Sequence, residues 1–146
     1  MSVSAPGRAE GTAALMHIVG VVCAAAVPLL LLLPYLGGGG ETETGWALKR
    51  IDIVTLVFCV LAVLLLVASL YEHRRSLPLA AAGLLFAAFG LVLAFPLEFP
   101  ALTDADTEIG GYLTPLVALI GAGAALYAAE LASVRPAALE DTAPSP

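Results

Sequence analysis

The sequence predicts an all-α fold: an integral membrane, antiparallel four-helix bundle. Of its 146 residues, 60% are hydrophobic and only 12% are charged, whereas soluble domains are about 45–50% apolar and about 25% charged. Four apolar segments are long enough to cross a hydrocarbon core about 30 Å thick, which needs about 20 helical residues. The segments between them carry the Gly, Pro or charged residues that end a span.

The predicted transmembrane domain covers residues 13–134, with spans at about 13–36, 47–70, 78–97 and 112–133. The first span has about 24 apolar residues, beyond the roughly 7–15 of a signal-peptide core, so we expect it to stay in the mature protein. Residues 1–12 and 135–146 are short, polar segments that contain Pro and Ala. They are predicted to be disordered tails.

The distribution of Lys and Arg predicts the orientation of the spans in a plasma (inner) membrane. With four spans, Arg8, Arg74, Arg75 and Arg135 lie on one side, and only Lys49 and Arg50 on the other. Both termini are therefore predicted to be cytoplasmic. The opposite side carries most of the acidic residues. An aromatic belt near that boundary agrees with this orientation, and its members are Tyr35, Trp46, Phe99 and Tyr112.

Small residues predict which faces of the helices meet, because lipid removes the hydrophobic drive for helix association. Span three and span four each carry Ala and Gly at steps of 3, 4, 3 and 4 residues. We expect these two seams to pack against each other. The seams are Ala80, Gly83, Ala87, Gly90 and Ala94 in span three, and Ala118, Gly121, Ala125, Ala128 and Ala132 in span four.

Spans one and two carry polar stripes that are also expected to face inward. The stripe of span one contains His17, Gly20 and Ala24. The stripe of span two holds nearly every polar or small side chain of that helix, namely Asp52, Thr55, Cys59, Ala62, Leu66, Ser69 and His73. The pattern predicts a compact bundle with Leu, Val and Phe toward lipid.

Asp52 is the foremost candidate for a functional group, since ionisable residues inside a membrane commonly bind ions or relay protons. The competing interpretation is local. Lys49 lies three residues earlier on the same helix face and can pair with Asp52. Trp46 places this turn near the headgroups. The sequence alone leaves both interpretations open.

The remaining polar positions support weaker hypotheses. His17 and His73 could in principle ligate a haem, but the charged neighbours of His73 favour two interfacial histidines and no cofactor. Glu130 is expected either to extend to the interface or to pair with Arg74 or Arg75 across the bundle.

Two loop motifs resemble ligand sites without completing them. In DADTEIG, residues 104–110, the sixth and twelfth positions of an EF-hand loop would be Ile109 and Pro115 instead of Gly and Glu, so a solvated acidic loop is favoured. GGGG at residues 37–40 leads into no Lys-Ser/Thr pair and is predicted to be a flexible turn. The net charge of −6 argues against a nucleic-acid partner. No catalytic motif indicates an enzyme.

Three short stretches support a resemblance to a known class of protein. LLLLLPYL closes span one, GWALKRID opens span two and GGYLTPL opens span four. With these, the chain resembles the small four-span integral membrane proteins of GC-rich bacteria that have no assigned function. The resemblance implies a four-helix bundle and no residue roles. The sequence therefore predicts a non-enzymatic accessory or structural protein that packs with itself or a larger membrane complex. The alternative is a small oligomeric transporter or channel subunit that uses Asp52.

Overall fold

The structure is a computed structural model that describes the backbone in six segments. These are residues 6–38, 41–44, 51–72, 74–98, 106–107 and 109–140. Side-chain environments are described for residues 11–34, 53–72, 74–93 and 109–132.

The described part of the chain contains four long helices, and each has a stretch long and apolar enough to cross a membrane. Each helix packs against its neighbours in the chain, and α1 also packs against α4, so the four helices form a closed ring. The predicted four-helix membrane bundle is confirmed. The helices are α1 (Pro6–Leu30), α2 (Ile51–Glu72), α3 (Ser76–Glu98) and α4 (Ile109–Glu140).

The helix boundaries differ from the predicted spans at both ends of the chain. Helix α1 begins at Pro6, inside the segment predicted to be a disordered tail, and proline is favoured in the first turn of a helix. It ends at Leu30 instead of Leu36, because Pro34 lacks the backbone N–H that a continuing helix would need. At the other terminus α4 extends to Glu140, six residues into the segment 135–146. Residues 141–146 lie outside the described part.

A small antiparallel sheet lies at the end of the bundle where α1 finishes and α4 begins. It has the strand order β2-β1-β3, and the sequence analysis did not predict it. Gly37 and Gly38, expected in a flexible turn, lie in β1, opposite Thr42 and Glu41. Part of the predicted acidic loop is likewise a strand, since Thr107 pairs with Leu36. The strands are β1 (Pro34–Gly38), β2 (Glu41–Thr44) and β3 (Asp106–Thr107).

Two glycines of α4 let neighbouring segments approach it closely. A Cβ at Gly110 would lie 2.7 Å from the carbonyl oxygen of Pro34, so this glycine lets the start of α4 meet β1. A Cβ at Gly121 would lie 2.8 Å from the Cβ of Cys23, which brings α1 against α4. Of the membrane-spanning stretch of α4, 50% of the residues are buried, against 22% for α1. Helix α4 is therefore the most buried of the four spans, packed between α1 and α3.

Among the described residues the fully buried interior consists mainly of small and aliphatic side chains, and the partly buried Phe58 and Phe89 pack against it. Helix α4 turns its predicted seam inward, with Ala118, Gly121, Ala125 and Ala128 all buried. Helix α3 does not. Its buried face is a different one, formed by Ala81, Ala82, Leu85, Ala88 and Val92.

The predicted pairing of the two small-residue seams is therefore wrong for α3. Ala80, Gly83, Ala87 and Gly90 are all exposed on the outer surface of the bundle. We call these four residues the α3 seam. The error has a physical cause, because α3 also carries Ala81, Ala82 and Ala88 and so has two faces narrow enough for close packing. Ala94, the last member of the predicted seam, lies outside the described side chains.

Candidate functional site

The polar stripe of α2 faces the interior, as predicted. Thr55, Cys59, Ala62, Leu66 and Ser69 are all buried, at the helical spacing that places them on one side. Asp52 belongs to the first turn of α2, but its side chain lies outside the described residues, as does His73. The interior stripe is thus confirmed from Thr55 to Ser69, and the role of Asp52 stays a hypothesis.

Thr55 is the one buried side chain in the described part of the chain whose polar atom has no hydrogen-bond partner. Its Oγ1 is fully buried and unpaired. Leaving a buried hydroxyl unsatisfied costs about 1–3 kcal/mol. It lies one helical turn after Asp52, on the same stripe.

Two other buried hydroxyls show how such a group is ordinarily satisfied in a membrane helix. Thr114 Oγ1 donates to the carbonyl of Gly110 at 2.6 Å, and Ser69 Oγ donates to the carbonyl of Leu66 at 2.7 Å. Both bonds stay within one helix and reach back one turn. Thr55 departs from this pattern, so its unpaired hydroxyl marks the region around the start of α2 as unusual.

His17 is buried, as the inward stripe of α1 predicted. Its Nδ1 donates to the carbonyl of Ala13 at 2.7 Å, since a carbonyl oxygen can only accept. This bond fixes the ring against its own helix and determines which nitrogen carries the proton. His17 is therefore a locally satisfied polar group in the interior.

Charged side chains gather at the end of the bundle where α2 ends and α3 begins. Arg75 Nη2 donates to Glu130 Oε1 at 3.0 Å, which realises one of the two expectations for Glu130. Arg74 Nε lies 3.4 Å from a carboxylate oxygen of Glu72. All four side chains are exposed. The Arg75–Glu130 pair connects the start of α3 with α4. Arg74 instead pairs with Glu72 at the end of α2.

The acidic side chains of the segment 104–110, which are Asp104, Asp106 and Glu108, lie outside the described side chains. The preference for a solvated acidic loop over an ion site therefore stays a prediction. Among the described residues, no group of three or more His, Cys, Asp or Glu side chains could hold a metal ion.

A groove between the outer surfaces of α3 and α4 was missed by the sequence analysis. Its volume is about 520 Å³ and its lining is almost wholly apolar. Neither Gly83 nor Gly123 would meet anything within 4 Å if it carried a Cβ. We call it the α3–α4 groove. Its walls include Leu79, Gly83 and Phe86 of α3 and Leu119, Gly123 and Leu126 of α4. These two glycines are the sequence signal for the groove. The spacing of Gly83, however, predicts that it packs against α4 inside the bundle, and so the groove is not apparent from the sequence.

The chain was compared with protein-family profiles, curated proteins and solved structures, and none of the three comparisons gave a match. Its function is therefore argued from its own geometry.

Proposed function

We propose that this chain is a non-enzymatic multi-pass membrane protein that serves as an accessory or structural component of a membrane assembly. The observation that carries the proposal is the outward direction of the α3 seam. Four small residues on one face leave the backbone of α3 open to a helix of another subunit. In lipid, such faces are where helices approach most closely. The partner is a second copy of the chain or a helix of a larger complex.

The interior supports a packing role over a transport role. The buried polar side chains among the described residues are His17, Thr55, Ser69 and Thr114. Three of them are bonded to a carbonyl of their own helix one turn earlier. Ala, Val and Leu fill the space between them. Such an interior suits a rigid scaffold, because an ion path needs a series of polar groups that face one another.

The test is purification of the tagged full chain in mild detergent, followed by mass spectrometry of whatever stays bound and an absorption spectrum. We expect membrane proteins or further copies of the chain to co-purify, and no haem band. A variant with Ala87→Leu and Gly90→Leu should lose the bound protein, since both residues lie on the α3 seam. Ala25→Leu, at an exposed alanine of α1 away from the seam, is the matched control. A haem band, or identical co-purification from all three proteins, would contradict the proposal.

A second candidate function rests on the unpaired hydroxyl of Thr55. A buried oxygen one turn from Asp52 is the kind of group that helps to bind a cation or relay a proton. Four helices of this size leave little room for a polar path, so a transporter or channel built from this chain would be an oligomer.

Ion flux in proteoliposomes separates the two candidates. A transporter would lose flux or its pH dependence in Asp52→Asn, while Asp106→Asn, an acidic residue outside the spans, would leave it unchanged. A packing protein shows no specific flux with either variant. Loss of a measured flux in Asp52→Asn alone would decide for the transporter.

The proposal places the chain in the plasma (inner) membrane of a bacterium with both termini in the cytoplasm. The orientation rests on the distribution of Lys and Arg, and the bacterial membrane rests only on the resemblance given under Sequence analysis. Thr44 and Ser76 lie at opposite ends of α2 and its flanking segments. In a chain whose Cys23 and Cys59 are replaced, a cysteine at Thr44 should react with an impermeant maleimide from outside and one at Ser76 should not. The reverse result would invert the topology.

A further inference from the structure

The α3–α4 groove has the dimensions of a site for one hydrocarbon chain. From Leu79 to Phe86 the helix rises about 10 Å, which fits within the roughly 15 Å of one leaflet of a hydrocarbon core. Leu79, Phe86, Leu119 and Leu126 form raised, half-exposed walls. The buried Ala82 and Ala122 form the floor. Because almost no polar atom lines the groove, its occupant carries no polar group along this length.

One end of the groove opens beside the charged end of the bundle. Leu79 lies one helical turn after Arg75, and Leu126 lies one turn before Glu130. The antiparallel register that pairs Arg75 with Glu130 at 3.0 Å therefore sets this ion pair about 6 Å beyond the last walls of the groove. A molecule lying in the groove would reach the pair with its polar end.

The charges at this end are balanced among the described side chains. The described ion pairs are Arg74 with Glu72 and Arg75 with Glu130, so each pair presents one positive and one negative group. A headgroup with one positive and one negative group can contact both members of the Arg75–Glu130 pair. Its phosphate accepts from Arg75, whose guanidinium has five N–H donors. Its ammonium donates to Glu130, since a carboxylate has about four acceptor positions.

We propose that the α3–α4 groove binds one phospholipid of the surrounding bilayer, with an acyl chain between Gly83 and Gly123 and a zwitterionic, primary-ammonium headgroup on the Arg75–Glu130 pair. The lipid class is phosphatidylethanolamine. Phosphatidylcholine has the same charges, but its methylated ammonium cannot donate a hydrogen bond to Glu130. Phosphatidylglycerol offers the phosphate without the ammonium. The site goes beyond the proposed packing function and lies beside the α3 seam, with Gly83 common to both.

The test is native mass spectrometry of the full chain, extracted in mild detergent from vesicles with equal parts of dioleoyl-phosphatidylethanolamine, -phosphatidylcholine and -phosphatidylglycerol. We expect one retained lipid per chain, with phosphatidylethanolamine at least about tenfold over either of the others, the low end of the range for a hydrogen bond to a charged group. Equal retention of the three lipids, preference for phosphatidylglycerol, or no retained lipid would overturn the proposal.

Variants locate the site. Gly123→Leu fills the groove and should abolish retention. Gly90→Leu is the same substitution at another exposed glycine with nothing within 4 Å of an added Cβ, and should leave retention unchanged. Glu130→Gln should keep the lipid but reduce the preference over phosphatidylcholine.

The variants also separate this site from the proposed association. A dimer mass that disappears in Gly123→Leu would show that a second copy occupies the groove instead of lipid, and would overturn the site. Loss of partner proteins in Gly90→Leu with the lipid retained supports both proposals independently.

Discussion

Helices α3 and α4 carry small residues in the same spacing, and the fold turns these two seams in opposite directions. In α4 the seam is buried against α1 and lets the backbones approach until a Cβ at Gly121 would meet Cys23 at 2.8 Å. In α3 the seam faces outward, and a Cβ at Gly83 or Gly90 would meet nothing within 4 Å. A pattern of small residues therefore identifies a face that can pack closely, and the rest of the helix decides whether the contact is internal.

The difference follows from the side chains that each helix carries outside its seam. Opposite its seam α4 carries the large side chains Leu116, Ile120 and Tyr127, all about half-exposed, so its seam is the face suited to the interior. Helix α3 buries a second narrow face, with Ala81 and Ala88 at 0% exposure. The α3 seam is therefore not used for packing inside the bundle, which is why we propose that it binds another membrane helix.

The largest expected effect is a difference in unfolding free energy between a variant of the α4 seam and a variant of the α3 seam. Gly121→Leu inserts a side chain where even a Cβ would collide with Cys23, and should lower the free energy of unfolding by about 1–3 kcal/mol or more. Gly90→Leu should change it by less than about 1 kcal/mol, in the stabilising direction, because leucine has the higher helix propensity. Reversible unfolding in mixed micelles of mild detergent and SDS measures both. Equal destabilisation would show that both seams are internal.

Substitutions at two buried threonines are expected to change the free energy of unfolding by a smaller amount, and in opposite directions. Thr55→Val removes an unpaired hydroxyl at nearly constant volume and should raise the free energy of unfolding by about 1 kcal/mol. Thr114→Val removes a bond to the Gly110 carbonyl and should lower it by about 1 kcal/mol.

The same unfolding assay compares these two variants. A loss of stability in Thr55→Val would mean that its hydroxyl has a partner in the membrane, such as a bound ion or water, and would strengthen the transport hypothesis.

The smallest change in the free energy of unfolding is expected at the ion pair between the start of α3 and α4. Glu130→Gln breaks the pair with Arg75, but both side chains are more than half exposed. An exposed ion pair contributes about 0–1 kcal/mol, so the unfolding free energy should change by no more than that. A larger loss would mean that the pair, and not the apolar contact, holds α3 against α4.

The sequence predicted correctly wherever one face of a helix was distinct. The stripe from Thr55 to Ser69 was found because the other side chains of α2 are mostly Leu and Val. The seam of α4 was found because Leu116, Ile120 and Tyr127 occupy the opposite face of that helix. The α3 seam was misplaced because Ala and Gly occur on both sides of that helix, and lipid and protein interior are equally apolar.

The features missed elsewhere depend on residues far apart in the chain. Pairing of Gly37 with Asp106 across the small sheet and the wall of Leu79 beside Leu126 both require the helices to be assembled first. The bond between Arg75 and Glu130 was one alternative to simple interfacial anchoring of Glu130, because complementary charges occur at the same end of neighbouring helices.

The central claim is that the α3 seam is a surface for association with another membrane helix. It is tested most directly by the mass of the complex extracted in mild detergent from the membranes in which the full chain is expressed. The account predicts that the unaltered chain has a protein mass above that of one chain, and that Ala87→Leu with Gly90→Leu reduces it to a single folded chain. A single-chain mass for the unaltered protein, or an undiminished complex in the double variant, would contradict it.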